Sequence, residues 1–103
     1  MRTLALAFHM FIQKAENCDE AISRDVLDLL PQFLEIQRFK MCTRMLLDAT
    51  NFCLNFFDNE DSTLAQQAQN LFQKIHEIAT TNNNLDVTIV TNSVRELFEL
   101  QTI

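Results

Sequence analysis

The sequence predicts an all-α fold of five antiparallel helices, arranged in one domain over residues 1–103. Two observations lead to this fold class. The chain contains no glycine and a single proline, Pro31, whereas hairpin turns and strand bends depend on glycine at positive φ. Apolar residues also recur at three- and four-residue spacing along five segments, so each segment offers one face to a shared core.

The first two segments are expected to form two helices joined by a short turn. Residues 3–16 carry one apolar stripe, and Asn17 is expected to end this helix and cap the next. Residues 19–37 carry a second stripe that contains Pro31, which removes a backbone donor from the helix interior. Two arrangements stay open: the helix bends at Pro31, or it ends near Leu30 and a sixth helix starts there.

A change of phase separates the second segment from the third. Phe33 and Cys42 both belong to apolar stripes, yet their spacing would place them on opposite sides of one straight helix at roughly 100° per residue. The chain is therefore expected to turn near residues 37–40. The third helix then runs to about Phe57.

Polar connections precede the last two helices. Residues 58–62 are polar and end in capping residues, which predicts a helix over residues 62–80. Thr and Asn residues over 80–84 form the next loop. The last helix is expected to start near Leu85 or Asp86. Its first half is β-branched, but no partner strand is predicted elsewhere, which favours a helix.

The third and fourth segments resemble a helical hairpin of the HEAT or armadillo type. Residues 60–75 read EDSTLAQQAQNLFQKI and are similar to the second helix of such a repeat, with an acid at the turn, small residues and a Leu-rich end. The run LLPQFL around Pro31 resembles the proline-bent first helix. Two consecutive helices span roughly forty residues, a period typical of pair-stacked solenoids. The fold is thus expected to be a helical bundle or a short HEAT-like solenoid segment, and the resemblance implies a scaffold or adaptor role.

Net charge and hydropathy disfavour two classes of partner. The formal net charge is −6, whereas nucleic-acid binders usually carry a basic surplus. The nearest basic group, Arg38, Lys40 and Arg44, is expected to be a solvated face. No segment approaches the roughly 20 apolar residues that a membrane span needs. We therefore expect neither a nucleic-acid partner nor a membrane partner.

The residues with reactive side chains do not form a catalytic or metal-binding motif. His9, His76 and the cysteines lack the i, i+3 or i, i+4 spacing that presents two ligands on one helical face. Cys42 and Cys53 lie on the stripe that should be buried, as small core thiols. We expect no enzyme activity, no catalytic or metal-binding residue, no cofactor and no small-molecule substrate. Unpaired thiols fit a cytoplasmic or nuclear protein.

The predicted function is protein binding, as an adaptor, scaffold or dimerisation module. Nine Phe and four Met are many for so small a core, so some are expected to line a surface for a partner helix, a basic peptide or a second copy. The alternative is that all of them lie in the core. The candidate partner-binding residues are Phe8, Phe11, Met41, Met45, Phe56 and Phe57.

Two other function classes stay open. The first is a death-fold-like signalling module or innate-immunity regulatory module, which has six helices and which a break at Pro31 would favour. The second is a small enzyme or metal protein that uses Cys and His side chains.

Overall fold

The computed structural model describes the backbone of residues 2–102 and the side chains of residues 4–97. Over these residues it contains five α-helices, one short 3₁₀ helix and no strand, which confirms the predicted all-α fold. The helices are α1 (Arg2–Glu16), α2 (Glu20–Ile36), α3 (Thr43–Leu54), α4 (Ser62–Thr81) and α5 (Leu85–Thr102), with the 3₁₀ helix at Arg38–Lys40.

Helix α2 continues through Pro31. The Asp19 side chain accepts the N–H of Ile22 at 3.1 Å and starts the helix, which ends only at Ile36. Proline offers no N–H to the carbonyl four residues earlier, but the apolar packing on both sides of Pro31 keeps the helix in one piece. Pro31 therefore does not create a sixth α-helix.

The predicted break between the second and third helices is confirmed. The 3₁₀ helix Arg38–Lys40 redirects the chain, and α3 then begins after its N-cap residue, Cys42. Cys42 is exposed, so the expectation that it is a core thiol is wrong. The cap position has extended backbone and precedes the apolar stripe, and the buried stripe of α3 starts with Met45.

The first four helices form two pairs, α1–α2 and α3–α4, which pack side by side. Helix α1 packs on α3, α2 packs on α4, and α5 packs on α4 and α3. Polar contacts link α2 and the 3₁₀ helix after it to α4 and its N-cap residue, Asp61. They join residues at a nearly constant sequence separation, 37 for the first contact and 39 for the others. These contacts are Arg24–Asp61, Asp28–Gln67, Glu35–Lys74 and Arg38–Glu77. A constant separation means that α2 and α4 run parallel and in register.

One of these contacts corrects the expectation that Arg38 is solvated. Its side chain is only 17% exposed, because the guanidinium donates to Glu35 at 2.6 Å and to Glu77 at 2.8 Å. Lys40 and Arg44 are exposed, as expected. Arg38 therefore stabilises the contact of α2 with α4.

Asparagine takes the place of glycine at the turn between α4 and α5. Asn83 has a φ of 57°, in the left-handed region that glycine usually occupies. The N–H of Asn84 donates to Ala79 at 2.8 Å and the N–H of Asn83 to Thr80 at 3.1 Å, which closes α4 with a Schellman motif. The Asn84 side chain then accepts the N–H of Val87 at 3.2 Å and starts α5.

Candidate partner-binding groove

An apolar groove runs between the outward faces of α1 and α2. It has a volume of about 530 Å³ and is open to solvent. Gln32 is the one polar residue among those that line it. The lining residues of this α1–α2 groove are Leu4, Ala7, Phe8, Phe11, Leu29, Leu30, Gln32, Phe33 and Ile36.

Two stacked rings form the floor of the groove, and three exposed side chains form its rim. The rings of Phe8 and Phe33 lie 5.5 Å apart between centroids, with an interplanar angle of 14°. On the rim, Phe11 is 46% exposed, Leu29 is 59% exposed and Ile36 is 78% exposed. The rim is therefore a contiguous apolar surface that faces water.

The groove exists because the α1–α2 pair lies at one edge of the packed helices. The α3–α4 pair has α1 and α2 on one side and α5 on the other. The α1–α2 pair packs on α3 and α4 through one side, and its other side has no neighbouring helix among the residues that the structure describes. The apolar residues on that side consequently remain open to solvent.

Two of the six candidate residues lie in the groove. Phe8 contributes to the floor and Phe11 to the rim, on the same face of α1. The remaining four do not contribute to it.

The other four candidates pack in or against the core, on and beside α3. Met41, Met45 and Phe57 are buried, and Phe56 is half-buried. The Phe57 ring packs edge-on against Phe72 of α4 at 5.4 Å. Because α3 lies between α1, α4 and α5, its apolar residues are covered on several sides.

The sequence interpretation missed the contribution of α2 to the groove. Residues 29, 30, 33 and 36 all belong to the one apolar stripe that the sequence predicts for residues 19–37, with one face toward a shared core. In the structure Leu30 and Leu34 are buried, while Leu29 and Ile36 point outward. The signal was the width of the apolar arc, because residues 29, 30, 33 and 36 span more of the helix circumference than one neighbouring helix covers.

A polar cluster joins α1 to α3 beside the groove helices. The Nδ1 atom of His9 lies 3.0 Å from the Asp48 carboxylate, and the guanidinium of Arg44 lies 3.5 Å from the His9 ring nitrogens. His9 is half-buried, and the Asp48 carboxylate is its hydrogen-bond partner. Together with Ala5 and Leu6, this cluster lines a smaller depression of about 210 Å³. The cluster stabilises the packing of α1 on α3.

His76 is a half-buried histidine in the contact between α4 and α5. Its Nδ1 atom lies 2.7 Å from the hydroxyl of Thr91, and its Nε2 atom lies 3.2 Å from the guanidinium of Arg95. Burial lowers the pKa of His76, and the nearby charge of Arg95 lowers it further. These contacts favour the neutral imidazole and give His76 a structural role between α4 and α5.

Of the three cysteines, one is buried and two are exposed. Cys53 is buried, its thiol donates to the carbonyl of Thr50 at 3.2 Å, and burial raises its pKa to about 12. Such a thiol stays protonated and is a poor nucleophile. Cys18 and Cys42 are exposed, and residues 4–97 contain no group of three or more His, Cys, Asp or Glu side chains that could hold a metal ion.

None of the helices, over the residues that the structure describes, combines the length and the apolar character needed to span a membrane. Comparisons with models of protein families, with curated proteins and with solved structures find no match to this chain.

Proposed function

We propose that this chain is a non-enzymatic protein-interaction module that binds an amphipathic helix or peptide of a partner protein in the α1–α2 groove. The observation that carries the proposal is the exposure of Phe11, Leu29 and Ile36 around an apolar floor. Contiguous exposed apolar patches mark contact sites on soluble proteins. A trough between two helices fits a helix with apolar residues at i, i+3 or i+4, and i+7.

Burial of the rim is the expected source of affinity. Removing a Leu, Ile or Phe side chain fully from water stabilises a complex by about 1.5–3 kcal/mol. The rim residues still have about half or more of their surface to bury. Binding also restricts the motion of both partners, so we expect a single short helix to bind reversibly instead of tightly.

Charge favours a basic partner. The chain has a formal net charge of −6, and Asp25 is exposed one helical turn before Leu29 on the same side of α2. Lysine or arginine beside the apolar stripe of the partner would interact favourably with this negative charge and would raise the association rate.

The arrangement of the helices supports an adaptor or scaffold role. Residues 39 positions apart are in contact both between α1 and α3, as in His9–Asp48, and between α2 and α4, as in Glu35–Lys74. This separation agrees with the period of about forty residues in pair-stacked helical repeats. Such arrays act as extended binding surfaces. Reduced thiols make a cytoplasmic or nuclear setting part of the proposal.

Fluorescence anisotropy with a labelled helical peptide tests the proposal. The probe carries leucines at i, i+4 and i+7 and lysines on its flanks, and a peptide of the same composition in scrambled order is the control. We expect the patterned peptide to bind, and Phe11→Glu or Leu29→Glu to weaken binding at least about tenfold. Leu6→Glu is the matched control variant, because Leu6 is 60% exposed on α1 but lies outside the groove.

Equal binding of the patterned and scrambled peptides would contradict the proposal, as would equal losses from the groove variants and the Leu6 variant. Circular dichroism of each variant establishes that it is folded, which is expected because all three positions are exposed.

A further inference from the structure

Helix α5 is joined to α4 by a row of polar side chains centred on His76. The guanidinium of Arg95 lies 3.2 Å from Nε2 of His76, and the hydroxyl of Thr91 lies 2.7 Å from Nδ1. The Thr91 hydroxyl in turn donates to the carbonyl of Thr88 at 3.1 Å. Thr91 is fully buried and His76 is half-buried, so these side chains lie within the contact between the two helices. We call His76, Thr91 and Arg95 the His76 cluster.

The neighbours of the ring determine which of its nitrogens carries the proton. A guanidinium has donors and no acceptor, so Nε2 of His76 accepts from Arg95 and carries no proton. The proton of the neutral ring is then on Nδ1, which donates to Thr91. This direction fits the Thr91 hydroxyl, because its own proton is used in the donation to Thr88. Both ring nitrogens are therefore satisfied together while the imidazole is neutral.

A second proton on the ring removes one of these contacts. In the imidazolium form both nitrogens are donors. Nε2 then opposes the Arg95 guanidinium, donor against donor and with like charge, while Nδ1 still donates to Thr91. Burial and the charge of Arg95 already lower the pKa of His76. Protonation therefore weakens the contact of α5 with α4, and by linkage the opening of α5 favours the protonated ring.

Charged side chains on the other elements that pack on α4 have partners away from His76. They contact α4 on its α2 side, or they contact His9 and each other between α1 and α3. These pairs are Arg24–Asp61, Asp28–Gln67, Glu35–Lys74, Arg38–Glu77, His9–Asp48 and Arg44–Asp48. On α5, Asp86 and Glu96 are exposed, and the side chain of Glu99 lies outside the described residues. Among the described side chains, the charged group that contacts the ring is thus Arg95.

The remaining attachments of α5 do not titrate near neutral pH. Between Leu85 and Leu97, the fully buried side chains of the helix are Val87 and Thr91. At its start, the Asn84 side chain donates to the hydroxyl of Thr43 at 2.9 Å. Amide, hydroxyl and aliphatic groups keep their charge state between pH 5 and 8, whereas histidine does not. The His76 cluster is therefore the attachment that responds to pH in this range.

We propose that His76 is a pH-sensitive switch for α5: the neutral ring holds the helix on α4, and the protonated ring allows α5 to open while the other four helices stay folded. Opening exposes the side of the α3–α4 pair that lies opposite α1 and α2. Local opening of one helix is a common low-energy event in folded proteins, and protonation of a histidine at a packed contact is an established way to bias it. The switch does not involve the α1–α2 groove, so it goes beyond the proposed function.

Amide hydrogen exchange at about pH 7 and about pH 5, corrected for the intrinsic exchange rate at each pH, provides the test. We expect the protection of the α5 amides of Thr91 and Arg95 to fall at least about threefold more than that of the α3 amides of Leu46 and Phe52. His76→Gln, which cannot be protonated, should remove this difference. His9→Gln is the matched control and should leave it in place, because His9 lies between α1 and α3.

A second variant separates the effect of charge from the loss of the ring. Arg95→Gln keeps a donor for Nε2 of His76 but removes the positive charge. It should raise the midpoint of the His76 ring titration, measured by NMR, and reduce the loss of α5 protection. This readout does not depend on the stability of the His76 variant.

Equal losses of protection in α5 and α3 would overturn the proposal, because they would show that the whole chain unfolds together. A selective loss in α5 that persists in His76→Gln, or that disappears in His9→Gln, would overturn it as well. An unchanged His76 midpoint in Arg95→Gln would show that the charge of Arg95 does not oppose protonation. None of these results bears on peptide binding by the groove, so the two proposals stand or fall separately.

Discussion

Phe8 of α1 and Phe33 of α2 stack with ring centroids 5.5 Å apart, and this pair forms the floor of the groove between the two helices. Helix α1 packs chiefly on α3 and α2 chiefly on α4. The stacked pair is therefore a principal direct contact between the first two helices, and it links the stability of the fold to the shape of the groove.

Removal of one ring is expected to destabilise the protein. Phe8 is buried, so Phe8→Ala should lower the free energy of unfolding by about 3 kcal/mol, through lost transfer energy and a residual cavity. Phe33→Ala should lower it less, because Phe33 is half-buried. Urea denaturation measures both, and the double variant should show a coupling of about 0.5–1.5 kcal/mol. Phe39→Ala, at an exposed position outside the groove, is the control. Strict additivity would show that the stack does not act as a unit.

The charge contacts between α2 and α4 are expected to weaken in acid. Hydrogen bonds from Arg38 lower the pKa of Glu35 and of Glu77 below the usual value of 4.5. A carboxylate with a lowered folded-state pKa contributes stability above its unfolded pKa, and this contribution is lost as the pH falls through the folded pKa. NMR titration of the glutamate carboxyls should place both midpoints below 4.5, and Arg38→Gln should raise both. Lys40→Gln is the matched control, and equal midpoints in all three proteins would contradict the assignment.

His76 is expected to make stability fall between about pH 7 and pH 5. Burial, aided by Arg95, lowers its pKa below 6.5. The unfolded chain therefore binds a proton more readily than the folded chain, and the stability that His76 contributes is complete above 6.5 and declines as the pH falls toward the folded pKa. Thermal unfolding at the two pH values should show a smaller drop for His76→Gln than for the unmodified chain. An identical drop in the two proteins would mean that other groups control this range.

Asn83 is expected to tolerate glycine and to resist β-branched residues. Its φ of 57° lies in the left-handed region, where a branched side chain clashes with the backbone. Asn83→Val should lower the free energy of unfolding by about 1–2 kcal/mol, and Asn83→Gly should leave it nearly unchanged. Chemical denaturation compares the two at one site. Equal stability of the two variants would show that the turn does not need the left-handed conformation.

Local sequence predicted the helices well because their causes are local. The phase difference between Phe33 and Cys42 predicted the break at residues 37–40, and the asparagine run predicted the turn before α5. The periodicity of apolar residues did not indicate whether a neighbouring helix covers a given apolar residue. Met45 is buried and Ile36 is exposed, although both lie on apolar stripes, because α3 is central and α2 is at the edge.

The sequence also did not predict the contacts between side chains that are far apart along the chain. Arg38 looked solvated because its partner Glu77 lies 39 residues away, on a helix whose register depends on the packing of the whole layer. The groove likewise depends on long-range packing. Phe8 and Phe33 come into contact only when α1 packs on α3 and α2 packs on α4.

Methyl NMR of the isoleucine side chains tests the central claim most directly, because isoleucines lie both in the groove and outside it. On titration with the patterned basic peptide, the account predicts that the methyl signals of Ile36, on the groove rim, shift in a saturable manner. The signals of Ile75 and Ile78, in the core, should stay in place. Shifts confined to Ile89, which is exposed on α5, or an unchanged Ile36 at saturating peptide would contradict the claim that the α1–α2 groove binds a partner helix.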